Sequence, residues 1–115
     1  MGTTTPWGTA DSSEKIARGI MSYSTPGHGG IHLSPTRQRE MPEALKVESG
    51  WYEEDCDWCL VAIAYPDYFT EHYQIAVDTF RNWHPERYEK YYGVILKPEE
   101  SYLKRRNMED NKEAN

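Results

Sequence analysis

Apolar and polar residues alternate over Ile20-Met21-Ser22-Tyr23-Ser24 and again over Gly30-Ile31-His32-Leu33, the period-two pattern of half-buried strands. In the second run Ile31 and Leu33 share one face and His32 takes the other. Pro26 and Gly27, in the bend between the runs, suit the two central positions of a type II turn, because proline presets one dihedral and glycine accepts a positive φ. Gly29 and Gly30 then let the backbone re-enter the second strand. Ser34-Pro35 predicts a helix cap with proline in the first turn, and Pro42 limits the helix that follows. Residues 44–47 read as a third short strand, and Glu48-Ser49-Gly50 as a turn into Trp51-Tyr52. Ahead of all these, Asp11 or Ser12 with Glu14 reads as the capped start of a short first helix, carrying Ile16 and Ala17 and ending at Gly19.

The second half changes period. The run CDWCLVAIAY, residues 56–65, is apolar and punctuated by alanine, which predicts a buried helix opened by Asp55 or Asp57 and ended before Pro66. Tyr73, Ala76, Val77 and Phe80 fall at i, i+3, i+4 and i+7 behind Thr70 as cap, the stripe of an amphipathic helix. Pro85 opens another helix, whose Tyr88, Tyr91 and Tyr92 share a face as far as Gly93. Pro98-Glu99-Glu100 begins a charged C-terminal helix in which Glu100 and Lys104 are spaced for an i,i+4 pair, with fraying expected over the last residues, EDNKEAN. The whole predicts an α+β class: a small antiparallel sheet of two to four short strands from the N-terminal half, packed against helices from the C-terminal half. It makes one globular domain over residues 5–100, with a charged helix and frayed tail over 101–115.

Composition narrows the function classes. A chain of 115 residues with 37% hydrophobic and 13% aromatic content supports one modest core and is not that of a disordered segment. No apolar run approaches the roughly 20 residues of a membrane helix. The start, MGTTTPWGTADSSEK, has neither the basic region nor the apolar stretch of a secretory signal. With only two cysteines besides, the expected location is the reducing cytoplasm.

The net charge of −6 is unevenly sourced. Residues 1–47 and 80–115 each sum to +1, whereas 48–79 hold eight acids and no lysine or arginine. A field of that sign attracts basic partners and repels nucleic acid. Lys104-Arg105-Arg106 is too small a patch to reverse this. The expected partner is a protein with a basic surface, with neither direct nucleic-acid binding nor membrane association.

Candidate chemistry lies in three places. His28 and His32 flank the glycine pair, and with Glu53, Asp55 and the neighbouring acids they suggest a divalent-cation or acid–base site; the plainer reading is a turn histidine, a sheet histidine and a solvated acidic turn. Cys56 and Cys59 form a C-x-x-C pair with His72 twelve residues beyond, the first three ligands of a small zinc module. The fourth ligand is missing, because residues 76–78 are Ala, Val and Asp and His84 stands too far along. A redox role fits worse, since Asp55 and Asp57 beside Cys56 disfavour a thiolate. Third, Trp51 and Tyr52 adjoin Glu53, Glu54, Asp55 and Asp57, an acidic and aromatic set suited to a protein interface.

Several stretches together, TPWGTA at 5–10, YSTPGHGGIHLSP at 23–35, MPEAL at 41–45, GWYEEDCDW at 50–58 and NWHP at 82–85, resemble an uncharacterised domain-of-unknown-function family found in proteins of phages, plasmids and other mobile elements. The resemblance covers roughly residues 5 to 100. It implies a mobile-element context and carries over no catalytic or binding residues. The family motif around Cys56 does not require a cysteine at position 59, which counts against a shared C-x-x-C metal site. The function expected is therefore that of a non-enzymatic accessory protein, without cofactor, that binds a host or element-encoded protein through Trp51, Tyr52, Glu53, Glu54, Asp55 and Asp57. Inhibition of a nucleic-acid-binding defence complex is its concrete form. The alternative is a small metal-dependent hydrolase using His28, His32 and the carboxylates of 53–57, with a divalent metal.

Overall fold

The computed structural model describes residues 2–114, with side chains as far as residue 110. A two-stranded hairpin, β1 (Thr4–Thr5) and β2 (Gly8–Thr9), precedes a four-stranded antiparallel sheet of β3 (Ser12–Ala17), β4 (Ile20–Ser24), β5 (Gly29–Leu33) and β6 (Trp51–Glu53), in that spatial order. Register assigns the faces. Ile20 pairs with Leu33, and Ser22 with Ile31, which pairs in turn with Tyr52; that face turns inward. Met21, His32 and Trp51 align on the other face, as do Tyr23, Gly30 and Glu53.

The inner face is covered by helices. Among the described residues the helices are α1 (Pro35–Glu40), α2 (Trp58–Ala64), α3 (Tyr73–Trp83), α4 (Pro85–Tyr92) and α5 (Tyr102–Ala114); α1 and α2 lie against the sheet, α3 packs on α2, and α4 and α5 pack on α3. Helix α2 is the centre of the core: Cys59, Leu60, Val61, Ala62 and Ile63 are all buried, which is why its sequence shows no polar face. Ala76 and Phe80 of α3 close over it, and Ile20, Leu33 and Tyr52 meet it from the sheet. Each large apolar side chain so buried contributes about 1.5–3 kcal/mol. The arrangement is the α+β architecture the patterning predicts, sheet from the first half and helices mainly from the second. No helix among the described residues is long and apolar enough to cross a membrane.

Several local expectations are overturned. Residues 11–19 form no helix: Ser12–Ala17 is an edge strand paired with β4, irregular between Lys15 and Ala17. Ser12 and Glu14 are exposed strand positions and Asp11 lies just ahead of the strand, and backbone pairing to β4 displaces the helical turn that Asp11 and Glu14 could start. Residues 44–47 form no strand either. Glu43–Leu45 is a single 3-10 turn that buries Leu45, and the Ala44 and Lys46 carbonyls accept hydrogen bonds from Arg87, both at 3.1 Å, in place of a neighbouring strand.

The bend at 25–28 is not a type II turn, because the φ of Gly27 is not positive. Thr25 ties it instead: its amide donates to the His28 carbonyl at 2.7 Å, and its hydroxyl donates to the same oxygen at 2.8 Å while accepting from the His28 amide at 3.1 Å. At α3 the 3-10 turn Thr70–His72 leads in, with no side-chain cap. Lys104 passes over Glu100 and pairs with Glu89 at 2.6 Å, while Glu100 accepts from the Lys97 amide at 2.9 Å. Helix α5 runs to Ala114; Asn115 lies outside the described residues.

Pro98–Glu100 is a separate 3-10 turn, and α5 starts only at Tyr102; the expected boundaries at Ser34 and Gly93 hold. Ser34 accepts from the Arg37 amide at 3.2 Å and Pro35 opens α1. Gly93 ends α4 at φ 67°, the left-handed conformation of a helix C-cap.

Candidate functional site

The outer sheet face carries a group of aromatic side chains. Trp51 on β6 is its hub: the His32 ring packs against it at 4.3 Å between centroids and 40°, Tyr23 at 5.6 Å and 50°, and Trp7 meets it edge-on at 5.8 Å and 89°. All four are half-buried. Trp7 reaches this face from the turn between β1 and β2, whose hairpin is held by the Thr5 hydroxyl donating to Gly8 at 2.6 Å. Gly30 makes the approach possible, for a Cβ there would run into the Trp7 ring and the Tyr52 carbonyl. Burial lowers the His32 pKa from its ordinary value, which disfavours the charged imidazolium on this face.

Glu53, two residues along β6 from Trp51, lies on the same face. There it meets Asp55 and His28, and the three offer ligand atoms within 4.8 Å of one another at an exposed corner. Burial first, then the adjacent Asp55, raises the Glu53 carboxyl above its usual range, with His28 pulling the other way. His32, proposed as their companion, is taken up by Trp51. Glu54 leaves the group altogether: its carboxylate lies near Gly29 on the helix side and lines a groove of about 510 Å3 with Glu14, Ser22, Trp58, Tyr68 and His72.

Tyr52 is a correction to the expected binding set. Its ring is fully buried, and its hydroxyl donates to Gln38 at 2.8 Å while accepting from the Val47 amide at 3.1 Å. It alternates with Trp51 and Glu53 along the strand, so it points into the core. Asp57 is not part of the free acidic rim either. Its Oδ1 lies 3.2 Å from His84 Nε2, and that hydrogen bond holds its carboxyl below the usual range against the opposing effect of burial.

The cysteines are both free. Cys59 is buried in α2 and its thiol donates to the Cys56 carbonyl at 3.0 Å. Burial and the Asp57 charge push it up to about 12. His72 lines the groove on the helix side, and the C-x-x-C pair and His72 do not form one of the ligand clusters found among the described residues. Cys56 instead joins Asp57 and His84 in a partly buried cluster, again with ligand atoms within 4.8 Å of one another. The Cys56 thiol lies 3.7 Å from Asp57 Oδ1, and His84 Nε2 also lies 3.0 Å from the Cys56 carbonyl. Both neighbours of Nε2 are acceptors, so this nitrogen carries the hydrogen and donates to each.

Trp7, Tyr23 and His84 are the members that sequence reasoning missed. Period-two alternation marks Tyr23 once the order of strands is known. Nothing local marks Trp7 or His84, which arrive through the β1–β2 hairpin and the α3–α4 corner. No curated protein and no solved structure matches the chain. The family model for a domain of unknown function (DUF7007) matches residues 1–114, and the chain belongs to that uncharacterised family.

Proposed function

We propose that the chain is a non-enzymatic binding protein that engages a basic surface on a protein partner through its outer sheet face. The observation that carries this reading is the packing of Trp7, Tyr23 and His32 on Trp51, with Glu53 and Asp55 at the rim. An arginine or lysine side chain laid across such a face gains attraction from the ring faces and pairs with the carboxylates. Proteins that hold nucleic acid present arginines and lysines in rows, so a nucleic-acid-binding groove is the partner surface this chemistry fits. An accessory protein of a mobile element, working in the cytoplasm of a host cell and inhibiting a defence complex, is the biological form of the reading.

The test is titration of the full chain with a short arginine-rich peptide, followed by NMR of the tryptophan indole groups. Saturable shifts at Trp7 and Trp51 are expected, weakened at least roughly tenfold, about 1.4 kcal/mol, by Glu53→Lys with Asp55→Lys. Unchanged affinity in that folded variant, or shifts confined to Trp58 and Trp83, would overturn the reading.

One observation favours a second reading, the small metal-dependent hydrolase: His28, Glu53 and Asp55 converge closely enough to hold one divalent cation. Stoichiometric manganese binding abolished by His28→Ala, with metal-dependent hydrolysis lost in the same variant, would establish it. Failure to bind manganese at all would remove it.

A further inference from the structure

The cluster of Cys56, Asp57 and His84 combines a thiol, a carboxylate and an imidazole drawn from two distant parts of the chain. Its geometry has a second consequence beyond the hydrogen bonds that hold it. In a tetrahedral zinc site with usual bond lengths, a carboxylate oxygen and an imidazole nitrogen stand about 3.3 Å apart, and a thiolate sulfur and a carboxylate oxygen about 3.6 Å apart. Here the corresponding separations are 3.2 Å for Asp57 Oδ1 to His84 Nε2 and 3.7 Å for Cys56 Sγ to Asp57 Oδ1. Two of the three ligand-atom separations thus match the edges of a coordination tetrahedron, and the third pair, Cys56 Sγ and His84 Nε2, lies within 4.8 Å. They are only partly buried, so an ion has access from solvent.

We propose that Cys56, Asp57 and His84 form a binding site for one zinc-type dication, separate from the His28, Glu53 and Asp55 corner. Sulfur and nitrogen ligands with one carboxylate select zinc or cobalt over magnesium and calcium, which prefer all-oxygen sites. Binding breaks the Cys56 S–H bond, the sulfur keeping the electron pair for the metal and the proton passing to solvent. His84 Nε2 gives its proton to solvent as Nδ1 takes one up, so the ring stays neutral and turns the Nε2 lone pair to the metal, and the hydrogen bonds to Asp57 and the Cys56 carbonyl are given up. Three protein ligands leave the fourth position to water. The metal pins the turn before α2 to the corner between α3 and α4, so it stabilises the folded chain.

Cobalt(II) titrated into the metal-free full chain tests this. One equivalent is expected to produce a thiolate-to-cobalt charge-transfer band and tetrahedral d–d bands, both displaced by zinc. Cys56→Ser, a near-isosteric change, should abolish the charge-transfer band, and His84→Gln should weaken binding at least roughly tenfold. Cys59→Ser and His28→Ala should leave both unchanged, which separates this site from the exposed corner. Should Cys56→Ser fail to fold, His84→Gln carries the test alone. Absence of the charge-transfer band at saturating cobalt, its survival in Cys56→Ser, or its loss in Cys59→Ser would overturn the proposal.

Discussion

Gly27 and Gly30 sit three residues apart in the same glycine-rich stretch and answer to different constraints. A Cβ at Gly27 meets nothing within 4 Å, and its φ is negative or extended. At Gly30 the same atom would strike the Trp7 ring and the Tyr52 carbonyl. Gly27→Ala should therefore leave stability unchanged or raise it by about 0.4–1 kcal/mol through the unfolded chain. Gly30→Ala should cost about 1–3 kcal/mol, as overpacking does. Chemical denaturation of the two variants checks the pair, and Gly30→Ala should also disturb the Trp7 and Trp51 signals. Equal effects would mean that turn geometry governs both glycines.

At the scale of elements, the contacts that join helices are more specific than helix spacing suggests. Lys104 of α5 donates to the Glu89 carboxylate and to the Leu96 carbonyl, both at 2.6 Å, while the Leu96 amide donates to Glu89 at 2.7 Å. The Lys104 hydrogen bond, followed by that of Leu96, holds the Glu89 carboxyl below its ordinary value of 4.5. A carboxyl lowered on folding adds stability that is fully present above the ordinary value and lost as pH falls through the folded one. Glu89→Gln should lower the melting temperature at neutral pH and remove part of the loss on acidification. Melting curves measured from pH 7 down to about pH 3 decide this, and parallel curves for variant and parent would refute it.

For the molecule as a whole, Phe80 is the joint between layers. It is fully buried against the α2 core, and Tyr88, Tyr91 and Tyr92 of α4 surround it at 5.3, 6.2 and 6.0 Å between centroids. Phe80→Ala should cost about 3–5 kcal/mol, a large part of the 5–15 kcal/mol typical of a domain. Urea unfolding with an unchanged slope is the expected signature. A cost below about 1 kcal/mol would show that α4 repacks into the space. Charge also takes its final form at this scale. Of the eight acids in 48–79, Asp57 pairs with His84 and Asp78 with Arg81 at 3.1 Å, so the unopposed field is narrower than the segment's count. Glu48, Glu54, Asp55, Asp67 and Glu71 remain exposed, and Asp55 joins half-buried Glu53 at the outer corner.

Elements whose signal is local were legible in the chain. Strands β4 and β5 show in their alternation, the Ser34-Pro35 cap in its side chains, α2 in its unbroken apolar run, and α3 in the stripe from Tyr73 to Phe80, because each depends on residues within one or two turns. Of the candidate site, the meeting of His28 with Glu53 and Asp55 was anticipated in part. Tyr52 was misplaced because an adjacent acidic run says nothing of which way a three-residue strand turns. Register against Ile31 decided that, sending Tyr52 inward and Trp51 and Glu53 outward. The edge strand at 12–17 and the Cys56–His84 contact, 28 residues apart along the chain, were hidden for the same reason. Local spacing constrains only what a backbone segment is able to form on its own. Which partner pairs with it, and which polar groups packing then brings together, depend on burying the α2 core from both sides.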